Sequence, residues 1–85
     1  MSWPVLVRVR LGAGLARLAA SPRLTLDLSD GATVDDLFER LGAAEPGVAP
    51  ALRSVLPVVA GEQVERSHPL RPGDEVALLL PVSGG

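Results

Sequence analysis

One segment with helical spacing lies between segments that alternate like β-strands, and this order restricts the possible folds more than any other feature. The helical segment is residues 34–41, whose apolar side chains recur on one face. The members of that face are Val34, Leu37, Phe38 and Leu41. Thr33 is suited to cap the N-terminus, with Asp36 three residues later as in a capping box. Gly42 is expected to end the helix.

Three segments besides the last one predict strands. Residues 5–11 and 24–28 alternate with period two, so one side of each should face the core. Those inward side chains are Val5, Val7, Val9, Leu11, Leu24, Leu26 and Leu28. Residues 55–60 predict another strand, with Pro57 at a sheet edge or a strand start because proline cannot donate to a ladder. The chain then turns at Gly61-Glu62.

The linking segments carry weaker signals. Residues 12–21 could hold a short helix ended by Pro22, although Gly12 and Gly14 weaken it. Its apolar side chains would be Leu15, Leu18 and Ala19. Pro50 could start a further turn through Arg53. The predicted order is ββαββ, which describes a single α+β domain.

The last predicted strand, residues 75–80, leads directly into a Gly-Gly end. A tight turn at Pro72-Gly73-Asp74 precedes it. Alternation directs Val76, Leu78 and Leu80 to the core and leaves Leu79 outward. Residues 81–85 predict a flexible tail beyond a domain of residues 1–80. Because glycine lacks Cβ, Gly84 and Gly85 form a thin thread that a narrow channel in a partner enzyme could accept.

Composition excludes several classes of protein. The chain is 47% hydrophobic but has only Trp3 and Phe38 as aromatic residues, so its core should be aliphatic. A net charge of −2 argues against nucleic-acid binding, which needs a basic face. No segment approaches the ~20 apolar residues of a membrane span. The cytoplasm is therefore the expected location.

Absent residue types narrow the chemistry further. The absence of cysteine excludes a disulfide scaffold, a thiolate metal site and a cysteine-persulfide mechanism. All eight positive side chains are arginine, so no side chain can accept an isopeptide bond. His68, the one histidine, lacks metal-ligand spacing and is expected to be a solvated loop residue, so no metal site is expected. Asp35-Asp36 and Asp74-Glu75 are assigned to a helix start and a turn, not to a catalytic pair.

Three motifs resemble the MoaD/ThiS family of ubiquitin-like sulfur carriers. They are the helix entry Gly31-Ala32-Thr33-Val34-Asp35-Asp36-Leu37, the hairpin Val58-Val59-Ala60-Gly61-Glu62-Gln63-Val64, and the end Pro81-Val82-Ser83-Gly84-Gly85. Ala60 stands where asparagine is common in the family, and Leu80 where many members have a second proline. The resemblance implies a β-grasp (ubiquitin-like) roll with a mixed sheet. Its first and last strands would be adjacent and parallel, with the main helix on one face.

The chain is most similar, within this family, to small subunits of molybdopterin synthase. The resemblance implies that a ubiquitin-activating-type adenylyltransferase uses ATP to adenylate Gly85, and that a persulfide donor enzyme then provides sulfur for a thiocarboxylate. The sulfur would pass to the molybdopterin precursor in the large subunit during molybdenum cofactor biosynthesis. The residues threading the partner's active site would be Pro81, Val82, Ser83 and Gly84. Leu79 would contact the partner's surface.

On this interpretation the chain is a covalent co-substrate, not an enzyme by itself. It would bind no cofactor and would be a monomer when free. Other interpretations stay open at this point. The sulfur acceptor could belong to cysteine, thiazole or thio-sugar biosynthesis, Gly85 could form an isopeptide with a target lysine, or the tail of a β-grasp binding module could stay unmodified.

Overall fold

Residues 5–81 are described by a computed structural model, in which a five-stranded sheet packs one face against the main helix. The strands are β1 (Val5–Leu11), β2 (Arg23–Leu28), β3 (Leu56–Val59), β4 (Glu62–Gln63) and β5 (Glu75–Leu79). The helices are α1 (Ala13–Ala16), α2 (Val34–Ala44) and a 3-10 helix (Ala49–Arg53). Across the sheet the order is β2-β1-β5-β3-β4. Among these residues, no helix has the length and apolar character to cross a membrane.

Strand β1 lies inside the sheet and organises its neighbours. It alternates between buried and exposed side chains along its whole length. It pairs antiparallel with β2 and parallel with β5, with Val9 opposite Val76 and Leu11 opposite Leu78. The parallel pairing of the first and last strands confirms the predicted α+β, β-grasp arrangement. Leu26 and Leu28 of β2 are buried as predicted, whereas Leu24 is half-buried at the margin of the core.

Helix α2 begins at the predicted capping box. The Asp36 backbone N–H donates to Thr33 Oγ1, and the Thr33 N–H donates to Asp36 Oδ2 at 2.8 Å. Val34 and Asp35, the first two residues of the helix, donate their N–H groups to carbonyls of the segment that precedes β5. All four predicted core side chains of α2 are buried. The helix start is therefore held by its own cap and by the approach to the last strand.

Helix α2 does not end at Gly42, so that prediction was wrong. It continues to Ala44, and its cap Glu45 has a non-helical conformation (φ −131°, ψ 80°) immediately before Pro46. Proline disfavours the helical conformation in the residue before it, which explains the stop at this point. A Cβ on Gly42 would lie 3.5 Å from Ala49 Cβ, so this glycine allows the 3-10 helix to approach α2 closely.

The segment after β1 is only partly as predicted. Leu15 is fully buried, but α1 has four residues and ends at Ala16, before Leu18. Leu18 is 46% exposed and lies outside the helix that was expected to include it. A single turn that contains Gly14 and has no side-chain cap is too weak to continue.

Strand β3 accommodates Pro57 near its start. The proline is the second residue of β3, and its carbonyl accepts a bond from the Val64 N–H on the side away from β5. Because N–H and C=O of one strand residue point to the same side, the missing donor costs the β3–β5 ladder nothing. The predicted turn after Pro50 is confirmed as the 3-10 helix.

The β3–β4 hairpin contains the one non-glycine residue of the described chain with positive φ. Ala60 has φ of 52° and Gly61 has φ of 81°, between the paired residues Val59 and Glu62. Positive φ at both central positions defines a type I′ turn, in which asparagine or glycine is preferred because alanine's Cβ crowds the backbone.

Ala60→Asn should therefore stabilise the isolated protein, by about 0.5–1 kcal/mol, because asparagine tolerates this conformation. A thermal melt followed by circular dichroism checks the result, and a rise of about 2–6 °C is expected for a domain of this size. The control is Ala43→Asn on the exposed surface of α2, where asparagine should lower stability slightly. A lower melting temperature for Ala60→Asn would contradict this view of the turn.

Candidate functional site

Strand β5 is the last element of the described chain, and the C-terminal residues follow it in the sequence. The strand is entered through the predicted turn, where Gly73 has φ of 84° and the Asp74 N–H donates to the Arg71 carbonyl. Arg71 N–H in turn donates to Asp74 Oδ2 at 2.8 Å, so this carboxylate fixes the turn. The Gly73 N–H donates to the Leu6 carbonyl, which anchors the turn to β1. The start of β5, and with it the register, is thereby fixed.

The two faces of β5 differ as the alternation predicts for most of its length. Val76 and Leu78 are fully buried, and Leu79 is 41% exposed on the opposite face. Ala77 also lies on that outer face, but it is nearly buried between Arg10 of β1 and Val58 of β3. A small side chain between two longer ones loses most of its exposure.

Leu80 is not directed into the core, so that prediction was wrong. Strand β5 ends at Leu79, and Leu80 is 39% exposed. The next residue, Pro81, has no N–H with which to continue a ladder. Leu80 lies instead over α1, where its Cδ1 is 2.9 Å from the position that a Cβ on Gly14 would occupy.

Two glycines after β1 support the end of β5. The Gly12 N–H donates to the Leu78 carbonyl at 2.9 Å. A Cβ on Gly12 would lie 3.2 Å from both that carbonyl oxygen and Leu79 Cδ2. Any larger residue at Gly12 or Gly14 would push against the last two leucines. These glycines form the surface on which Leu79 and Leu80 rest as the chain leaves the sheet.

An apolar surface surrounds the end of β5 on the outer face of the sheet. The register places Leu56 of β3 opposite Leu79, and Val58 opposite Ala77. Leu56 and Val58 are half-buried, so each presents part of its side chain to solvent. We call the surface formed by Leu56, Val58, Ala77 and Leu79 the exit patch. Such apolar surfaces on small soluble proteins often mark binding sites.

The described residues carry their charge on the surface only. Within residues 5–81 no polar or charged side chain is buried, and no three histidine or acidic side chains cluster as metal ligands would. His68 is a half-buried loop residue whose backbone carbonyl accepts from Val34 N–H. Asp35 forms a salt bridge with Arg66 at 3.2 Å. Asp35 and Asp36 thus lie at the helix start and Asp74 in the turn, as assigned from the sequence, whereas Glu75 is the first residue of β5.

The proposed tail residues fall almost wholly outside the described chain. Pro81 is the last described residue, and it is exposed. Val82, Ser83, Gly84 and Gly85 lie beyond it, so their threading and chemical roles stay predictions. The division between a domain of residues 1–80 and a tail of residues 81–85 also stays a prediction.

Comparison with protein families identifies the lineage. The ThiS family model matches residues 9–85, which is most of the chain and includes the Gly-Gly end. The chain belongs to the ThiS family. It is a ubiquitin-like sulfur carrier of the MoaD/ThiS type, as the sequence motifs suggested. It is also 31% identical over 81 residues to the molybdopterin synthase sulfur carrier subunit of Chlamydomonas reinhardtii, covering 93% of this chain and 98% of that protein.

Solved structures agree with this assignment. SAMP1 from Haloferax volcanii superposes with a TM-score of 0.85 at 30% identity, over 94% of this chain and 99% of that one. A chain in the complex of subunits 1 and 2 of the molybdopterin-converting factor from Helicobacter pylori superposes with a TM-score of 0.68 at 20% identity. That match covers 95% of this chain and 100% of the other, and it supports the fold alone.

Sequence reasoning found Leu79 but missed its surroundings. Leu56 and Val58 were assigned to a strand, but the sequence did not show which face of the sheet they occupy. Only the pairing of β3 with β5 shows which side chains of β3 flank Leu79. Gly12 and Gly14 were interpreted from the sequence as residues that weaken a short helix, not as a support for the end of β5. Two glycines directly after a strand are a signal of close backbone approach, and that signal could have indicated a neighbouring strand end.

Leu79→Arg should weaken binding to a partner enzyme more than it lowers stability. Truncating an apolar anchor in a desolvated interface costs ~2 kcal/mol or more. An exposed position on the sheet surface should cost ~1 kcal/mol or less in stability, because the arginine stem can lie along the surface. Calorimetric titration with the activating enzyme and a chemical denaturation curve measure the two effects on one preparation.

Leu78→Arg is the matched control, because Leu78 is adjacent and fully buried. Burying its charge should prevent folding or greatly reduce stability. If Leu79→Arg unfolds the domain while Leu78→Arg is tolerated, the register of β5 described above is contradicted.

Proposed function

We propose that this chain is the sulfur carrier subunit of molybdopterin synthase, with the Gly85 carboxylate as the atom group that carries sulfur. The observation that carries the proposal is the ThiS family match, which runs through residue 85. The similarity to the Chlamydomonas molybdopterin synthase sulfur carrier subunit favours this pathway over others. The exposed exit patch beside the last described residue is compatible with docking on a larger enzyme.

The first step is activation of the carboxylate. A carboxylate is a poor acylating agent because oxide would have to leave. Attack of a Gly85 oxygen on the α-phosphorus of ATP forms an acyl-adenylate and releases pyrophosphate. Catalysis of this step belongs to a ubiquitin-activating-type adenylyltransferase, which binds the ATP. The proposal assigns this chain no cofactor, and it places the chain in the cytoplasm, where ATP is available.

The second step transfers sulfur. The terminal sulfur of a donor enzyme's persulfide attacks the Gly85 carbonyl carbon, and AMP leaves with the former carboxylate oxygen. The resulting acyl disulfide is then cleaved by a thiol, which becomes part of a disulfide and releases the thiocarboxylate. This anionic sulfur is a soft nucleophile that can attack the molybdopterin precursor in the large subunit. The chain is consumed and regenerated in each cycle, so it serves as co-substrate and small subunit without catalysing the reaction itself.

Conversion of Gly85 to a thiocarboxylate is the direct test. The protein is incubated with ATP, the adenylyltransferase from the same genome and a persulfide donor, and its intact mass is measured. We expect a mass increase equal to replacement of one oxygen by sulfur, located in the C-terminal peptide. The mass before incubation also verifies that Gly85 is the last residue. Sulfur at another position, or none with an active partner, would falsify the proposal.

The two terminal glycines should be needed for activation and dispensable for folding. Deletion of Gly85, or Gly84→Val, should abolish adenylation because the thread becomes too short or too wide for a narrow channel. The melting temperature should be unchanged, because these residues follow the end of β5 in the sequence and terminal residues commonly contribute little to stability. Ser83→Ala serves as the control with a small side chain at a neighbouring position. A large loss of melting temperature in either glycine variant would show that the tail contributes to the fold.

A second candidate function is protein modification. The similarity to SAMP1, a small archaeal modifier protein, favours it specifically. Both functions share the acyl-adenylate, but in modification a lysine amine of a target displaces the activated group and forms an isopeptide. This chain has no lysine, so it could end such a conjugate but could not be extended through a side chain. Slower-migrating conjugates that disappear on deletion of Gly85 would favour modification over sulfur transfer.

A further inference from the structure

Three arginines form a strip on the outer face of the sheet. Arg10 of β1 and Arg23 of β2 are direct partners across the antiparallel pair, and both side chains are exposed. Arg8 lies two residues before Arg10 on the same face and is also exposed. Like charges directly opposite each other in an antiparallel pair destabilise a sheet. We call Arg8, Arg10 and Arg23 the arginine strip, and its opposed pair, Arg10 and Arg23, works against the stability of the domain.

Within residues 5–81 no salt bridge neutralises Arg10 or Arg23, while Arg8 has Glu75 beside it. The salt bridge found among residues 5–81 joins Asp35 to Arg66, on α2 and its neighbouring loop. Glu75 of β5 is next to Arg8 in the register, and it is the one acidic residue of the open depression that the strip lines, which has a volume of about 260 Å³. The chain as a whole has a net charge of −2, so this positive strip contrasts with the rest of the surface.

The arginine strip is continuous with the exit patch. Arg10 pairs with Arg23 on one side and with Ala77 of the exit patch on the other. The same row of the sheet continues to Val58. A partner that covers Leu79 and Val58 will therefore also meet Arg10. Desolvating an arginine without a counter-charge is costly, so such a partner needs carboxylates at this edge of the contact.

We propose that the arginine strip docks on an acidic surface of the protein that receives the C-terminal tail. The apolar exit patch would fill the centre of that contact, and Arg8, Arg10 and Arg23 would pair with aspartate or glutamate side chains at its edge. Arginine's planar fork suits paired hydrogen bonds to carboxylates, and arginine is enriched in protein interfaces. The proposal rests on the proposed function only in naming the partner as a tail-receiving enzyme.

The observations favour a protein partner over nucleic acid. Recognition of a phosphate backbone requires a basic face that extends along several phosphates, whereas this strip has three arginines in a chain of net charge −2. The exposed leucine and half-buried valine beside the strip provide no stacking surface for bases. They suit the apolar centre of a protein interface with charged groups at its rim.

The test compares association rates of charge-reversed variants with the large subunit of molybdopterin synthase from the same genome. Arg10→Glu and Arg23→Glu should each slow association roughly tenfold at low salt, with the difference diminishing at high salt. Arg53→Glu is the matched control, because it changes the net charge equally at an exposed position on the 3-10 helix, which packs on α2 on the other side of the sheet. Its association rate should stay close to that of the wild type.

A stability measurement on the same variants distinguishes docking from damage to the fold. Arg23→Glu should raise the melting temperature by about 2–5 °C, because an opposed like-charge pair becomes an attractive one. Arg53→Glu should leave it nearly unchanged. A variant that is more stable yet associates more slowly cannot owe its defect to misfolding.

Each outcome decides the proposal. The proposal would be overturned if Arg10→Glu, Arg23→Glu and wild type associated at equal rates at low salt. The intact-mass measurement of thiocarboxylate formation at Gly85 would still test sulfur transfer separately. If wild type does not bind the large subunit, the same measurement is made with the activating enzyme, and failure with both overturns the proposal. Phosphatidylserine vesicles and an oligothymidine strand are tested as alternative partners. The proposal would also be overturned if wild type bound one of these, Arg10→Glu did not, and neither enzyme was bound.

Discussion

The parallel pairing of β1 with β5 is the interaction on which the rest of the structure depends. It joins the two ends of the described chain at the middle of the sheet, where Val9 meets Val76 and Leu11 meets Leu78. All four side chains are buried under α2 and its neighbours. Because side chains alternate along a strand, a shift of one residue in this pairing would exchange Leu78 with Leu79. Burial of the core therefore also fixes which leucine faces solvent beside the tail.

The same pairing determines the charge pattern of the outer face. Once Val9 is buried, Arg8 and Arg10 must point outward, and the β1–β2 register then places Arg10 opposite Arg23. The β1–β5 register places Arg10 beside Ala77. One surface thus combines a positive strip and an apolar patch at the point where the chain leaves the sheet. Neither part contributes to the core, and the opposed arginines oppose folding, so this surface is better explained by binding than by stability.

Much of this fold could be predicted because local signals were strong and agreed with one another. The strict alternation of residues 5–11 predicted β1 with its correct faces, since the pleat alone directs its valines to the core and its arginines to solvent. Thr33 and Asp36 predicted the start of α2, because a capping box is formed within four residues. The parallel neighbour of β1 lies some seventy residues away, and the resemblance to the MoaD/ThiS family was needed to predict it.

The failures share a cause, which is that a residue outside the local apolar or glycine pattern decides the outcome. Gly42 is a residue type that often ends helices, but here it allows Ala49 to approach α2 closely. The helix ends at Ala44, shortly before Pro46. Leu80 continues the apolar alternation of β5, but Pro81 and the surface at Gly14 remove it from the core. Leu56 could not be placed beside Leu79 without the β3–β5 register.

The support beneath the last two leucines links the fold to the chemistry proposed for the tail. A flexible thread gains little from being thin if its starting point is also free to move, because ordering both would cost conformational entropy on binding. Here the Gly12 N–H holds the Leu78 carbonyl, and the absence of a Cβ at Gly12 and Gly14 leaves room for Leu79 and Leu80. The tail therefore begins from a fixed point next to the exit patch. If a partner binds this patch as proposed, the residues after Pro81 start from a position that the fold defines, so recognition of the folded domain and delivery of its C-terminus would be one event.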